Sequence, residues 1–92
     1  MWKQKRVSSS TREISPAVLV SRLGRRIAHL RKARRWTRRH LARRLDVSPK
    51  TVANWEQGRC QPAFPLLVAL AEQLEVSIDD LARGEQTGEQ EE

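Results

Sequence analysis

One cysteine, Cys60, is all the chain contains, so no disulfide forms within it and nothing marks it for an oxidising compartment. No run of about 18 apolar residues occurs, which leaves no candidate for a membrane-spanning helix. The N-terminus is basic, but no apolar stretch follows directly behind it, so no secretory signal is expected. His29 and His40 are the only histidines. Together with Cys60 they give no metal-ligand spacing, and no glycine-rich phosphate loop or paired-carboxylate site accompanies them. An enzyme, a bound metal or another cofactor is therefore not expected. Acidic residues are scarce at the front of the chain. Residues 1–59 carry 3 of them against 17 lysines and arginines, a net +14, whereas residues 60–92 carry 8 against 1, a net −7. Such a basic front is the footprint of a polyanionic partner. Ninety-two residues allow one small domain with one modest core.

What is present is a set of short helices with strong start signals. A hydrophobic residue, then Ser or Thr, then a hydrophobic residue four positions on recurs three times. It appears as Trp36-Thr37 to Leu41, Val47-Ser48 to Val52 and Val76-Ser77 to Leu81. Each hydroxyl satisfies an orphan backbone N–H, and each apolar pair sets the angle at which the chain enters the helix. A first helix is expected from Pro16, capped by Ser15 and stapled by Ile14 to Leu19, running to about Arg34. Leu19, Leu23, Ile27 and Leu30 hold one face of it. Gly24 inside this helix costs about 1 kcal/mol relative to alanine, which points to close packing or to a break there. A fourth helix is expected from Pro65 to about Glu75, with Leu67, Leu70, Ala71 and Leu74 inward. A fifth spans Ile78 to Arg83, capped by Ser77 with Asp80 in a capping-box-like pair. Residues 1–13 read as a flexible basic arm and residues 85–92 as a disordered acidic tail, which leaves 14–84 as the domain.

The stretch from Thr37 to Arg59 organises the rest. Leu41, Ala42 and Leu45 give one helix an apolar face. Pro49 stands at the first helical position of the next, Val52 and Trp55 face inward, and Gly58 stops it. Only Asp46 and Val47 separate the two, which forces a sharp turn. Two helices so joined match a helix-turn-helix, whose second helix enters the major groove of DNA. The inward positions leave Pro49, Lys50, Ala53, Asn54 and Gln57 towards solvent, with Thr51 at the edge. Lys50 pairs chemically with guanine O6/N7 or with a phosphate, and Asn54 with adenine N6/N7.

Residues 22–84 resemble the lambda-repressor-like (Cro/repressor, XRE-type) helix-turn-helix family. The resemblance rests on Leu30-Arg31, Thr37 with Leu41-Ala42, Val47-Ser48, Glu56 with Gly58, Pro62, and Leu70-Ala71 in this order. It implies an all-α, compact five-helix DNA-binding domain that acts as a homodimer on a two-fold symmetric operator in double-stranded DNA. It also implies base contacts at Pro49, Lys50, Thr51 and Asn54, with proline limited to an apolar contact. Arg31 and Glu56 match positions that form a partly buried ion pair, which orients the recognition helix. Phosphates are expected at helix N-termini and flanking cations: Thr37, Arg38, Arg39, Arg43, Ser48, Gln57 and Arg59. Arg38 stands where glutamine is common in the family. The functional expectation is a cytoplasmic, nucleoid-associated transcriptional regulator, a repressor first. An antitoxin with a toxin partner, or an adaptor binding protein or RNA, are the alternatives. Residues 14–20 and the fifth helix are the expected dimer surfaces.

Overall fold

Local hydroxyls and prolines start the helices of this computed structural model, which describes residues 15–83. The helices are α1 (Pro16–Ala33), α2 (Arg38–Leu45), α3 (Pro49–Glu56), α4 (Phe64–Leu74) and α5 (Ile78–Arg83), with no strand among the described residues. The fold is all-α with five helices, as the sequence implies. Ser15, Thr37, Ser48 and Ser77 each accept a bond from the amide three residues on, at 3.2, 3.0, 3.1 and 2.9 Å. These bonds satisfy donors that the helix leaves without acceptors. The segment from residue 16 is thus an extension of α1 and not a separate turn; the expected staple partner Ile14 lies outside the described residues. Asp80 donates its amide to Ser77, but its carboxylate goes to Arg26 on α1 at 2.8 Å, which ties α5 to α1.

The helix ends follow one rule as well. After α1, the amide of Arg35 bonds to the Lys32 carbonyl and that of Trp36 to the Arg31 carbonyl. The same paired pattern closes α2 through Asp46 and Val47, α3 through Gly58 and Arg59, and α4 through Glu75 and Val76. This paired bonding needs a left-handed residue at each stop. Gly58 adopts it at φ 76°, but Arg35, Asp46 and Glu75 adopt it too, at φ 62°, 60° and 60°. Each of these three is followed by an apolar residue, Trp36, Val47 or Val76, that packs against the core. Glu75 is therefore the turn after α4 and not its last residue. The helix also begins one residue earlier than expected, with Phe64 ahead of Pro65. Proline fits anywhere in that first turn, because the amides there have no helical acceptor to lose.

Ile27, Leu41, Val52, Leu70, Leu74 and Leu81 are the largest fully enclosed side chains, so every helix sends one into the centre. Leu23, Ala42, Leu45, Trp55 and Ala71 complete the buried set. Leu67 and Leu30 are only partly covered, and Leu19 is 40% exposed. Arg34 crosses from the end of α1 to the Leu74 carbonyl at 2.9 Å and to Glu75 at 3.2 Å, which ties α1 to the last turn of α4. Arg44 reaches Gln73 at 2.6 Å, and the guanidinium groups of Arg34 and Arg44 both lie over the Trp36 ring.

α1 crosses the end of α3 at Gly24. A Cβ built at Gly24 would overlap the Trp55 carbonyl oxygen and stand 2.9 Å from that of Glu56. Close packing is thus the reason for the glycine, and α1 continues through it without a break.

Candidate nucleic-acid interface

α3 is held on the body by Val52, fully buried, and by Trp55, 3% exposed. With those two and Glu56 inward, the helical period sets the remaining side chains towards the outer side. Pro49, Lys50 and Gln57 are exposed, and Thr51, Ala53 and Asn54 are half-buried. Lys50 and Asn54 lie one turn apart on the same side. Small Ala53 beside them leaves room for a close approach. Ser48 and Thr51 share a hydroxyl contact of 2.9 Å at the start of the helix. Arg59 Nη1 donates to the side-chain oxygen of Asn54, Oδ1, at 3.4 Å, a long hydrogen bond on the same surface.

The other end of α3 is pinned by charge. Arg31 Nε donates to Glu56 Oε2 at 2.6 Å, and its Nη2 donates to Oε1 at 3.1 Å. Its Nη1 donates to the Trp36 carbonyl at 2.7 Å. Both side chains are buried, so the two-pronged geometry is what makes the charges tolerable there. The expected pair between the first and third helices is present. Sequence reasoning did not see its third member: Arg38 Nε donates to Glu56 Oε1 at 2.8 Å. The one available signal was the arginine at position 38 where glutamine is common.

Two sets stand out among the basic residues. Arg26, Arg31, Arg34, Arg38 and Arg44 hold helices to one another. Arg39, Arg43 and Lys50 are exposed, and none of them has a bond or ion pair to another described residue. Arg39 and Arg43 stand one turn apart on α2. With Ala42, Asp46, Val47 and Pro49 they line an open depression between α2 and the start of α3. Thr37 and Ser48, both exposed, mark the N-termini of α2 and α3. Neither helix has an acidic residue in its first turn, so nothing there offsets the positive end of the dipole. Cys60 is exposed in the loop behind α3, and no cluster of His, Cys, Asp and Glu suited to a metal occurs among the described residues.

This arrangement of two short helices across a sharp turn, with the second turned outward, defines a helix-turn-helix. A family described as the helix-turn-helix domain matches residues 22–84. Among solved structures, the clp gene regulator ClgR from Corynebacterium glutamicum is similar at 30% identity and a TM-score of 0.65, covering 68% of this chain and 67% of that one. The P22 c2 repressor, solved in complex with a synthetic operator, is similar at 30% identity and a TM-score of 0.62, covering 64% of this chain and 89% of that one. None of the curated proteins matches the chain. The chain belongs to the helix-turn-helix domain family, in its lambda-repressor-like form.

Proposed function

We propose that the protein is a sequence-specific DNA-binding transcriptional regulator that reads the major groove with α3. One observation carries this reading: α3 is anchored by Val52, Trp55 and Glu56, while its outer side presents Lys50, exposed, and Asn54, half-buried with its side-chain oxygen on Arg59. Asn54 reads adenine and Lys50 guanine, Thr51 supports them, and Pro49 offers an apolar contact to a thymine methyl. Thr37, Arg39, Arg43, Ser48, Gln57 and Arg59 hold phosphates around them. Arg38, whose Nε is already on Glu56, is not counted in that set. The partner is a two-fold symmetric operator in double-stranded DNA. The protein acts on it as a homodimer, with recognition helices about 34 Å apart, and represses by occupying the site in the nucleoid of the cytoplasm. Leu19 on α1 and Ile78 on α5, 40% and 39% exposed, give apolar surface on the two segments expected to meet a second copy. The P22 c2 repressor's operator complex supports the same reading by similarity.

Selection of bound duplexes from a random library tests it. The expected product is one enriched motif with two-fold symmetry. Recovery of unenriched sequence at moderate salt refutes sequence reading, and an enriched motif without symmetry refutes the dimer.

A further inference from the structure

We propose that Arg38 is a positioning residue for base readout: through Glu56 it sets the angle between α2 and α3, and it does not grip a phosphate. The inference rests on the DNA-reading function proposed above. Glu56 is the last residue of α3, and Arg38 is the first of α2. The other ends of these two helices are joined by the turn at residues 46–48. The Arg38–Glu56 bond therefore closes a triangle whose other two sides are the helices. Two rods hinged at one corner keep a constant angle only if their far ends are fixed. Arg31 holds the same carboxylate from α1, so the third corner is tied to the body as well.

The bond suits this task. The Glu56 side chain is 2% exposed, and each of its oxygens already has a partner: Oε2 takes Arg31, and Oε1 takes Arg31 and Arg38. Arg38 stays 41% exposed and is well placed to exchange partners, yet its Nε is the atom committed. Each helix has 8 residues, so the lever is about 12 Å long. A shift of ~1 Å at the Glu56 end turns α3 by about 5° on that lever. Asn54, near the free end, moves with it; Lys50, at the hinge, hardly moves. Loss of Arg38 thus blurs the base that Asn54 reads before the one that Lys50 reads.

The test compares wild type, Arg38→Ala and Arg38→Gln. Glutamine places its amide nitrogen where arginine has Nε, so it retains the bond to Glu56 and removes the charge. Binding to the selected duplex and to a random duplex is measured across a salt series, and DNA-free thermal unfolding runs alongside. Arg38→Ala is expected to lower the selected-to-random affinity ratio about tenfold, the worth of one base contact out of register. It is also expected to lower the melting temperature by about 4 °C or more. Arg38→Gln is expected to restore most of both, with the salt slope unchanged in all three proteins. The inference is overturned if both variants weaken selected and random duplexes equally and reduce the salt slope by about 0.9, the signature of one lost phosphate contact. It is also overturned if the ratio in Arg38→Ala equals that of wild type. A wild-type ratio near one would instead refute the functional reading, while the unfolding series still reports whether Arg38 braces Glu56.

Discussion

Replacing Gly24 with alanine sets two effects of opposite sign against each other. Alanine in a helix interior is favoured over glycine by about 1 kcal/mol, and that gain acts wherever the helix is free. At Gly24 the new Cβ overlaps the Trp55 carbonyl oxygen and stands 2.9 and 3.1 Å from the Glu56 carbonyl oxygen and carbon. These are backbone atoms in the last turn of α3, so no side chain can swing aside. Relief comes only from moving α1 away from α3. Overpacking of a close-packed site costs about 1–3 kcal/mol, and a clash with three backbone atoms belongs at the upper end. The expected net is a loss of about 2 kcal/mol, which for a domain of this size lowers the melting temperature by roughly 8–16 °C. Thermal unfolding followed by circular dichroism reads this directly. The same separation stretches the Arg31–Glu56 contact, so preference for the selected duplex should weaken at temperatures where the variant is still folded. A melting temperature equal to or above that of wild type would show that helix propensity wins, and the close crossing of α1 over α3 would be refuted.

Removing Glu56 strands Arg31 in a buried position, so Glu56→Ala should cost about 3–5 kcal/mol in urea unfolding; a loss under about 1 kcal/mol would mean the pair is solvated. Asn54→Ala should cost about 1–3 kcal/mol on the selected duplex and relax preference at one base, whereas Arg43→Ala should weaken selected and random duplexes alike and reduce the salt slope by about 0.9. Equal losses on the two duplexes for Asn54→Ala would remove it from base reading. Arg35→Gly relieves a left-handed residue at φ 62° and should raise stability by about 0.5–1 kcal/mol, the strain of that conformation less the entropy glycine adds to the unfolded chain. A lower melting temperature for that variant would show that the Arg35 side chain holds the turn.

The helix starts and the inward faces were legible because their causes are local. A hydroxyl caps the amide three residues ahead of it, and Val52 and Trp55 share a face by the helical period alone. Gly58 announced the end of α3 for the same reason, since its left-handed backbone is readily tolerated only by glycine. The ion pair of Arg31 and Glu56 was legible only through the family resemblance, because 25 residues separate its partners.

Other features took shape only in three dimensions. Arg35, Asp46 and Glu75 turn left-handed although none is glycine, because burying Trp36, Val47 and Val76 outweighs the local strain. Gly24 carried two readings until a neighbouring helix filled the space beside it. The charge pattern marked a cationic front but gave every arginine the same weight. Packing separated them, leaving Arg39 and Arg43 open and engaging Arg34, Arg38 and Arg44 with partners far along the chain. Periodicity and capping act over one turn of backbone, so the order of residues determines them. A guanidinium reaches some 6–7 Å from its Cα, and what it meets at that distance depends on which helices have come together.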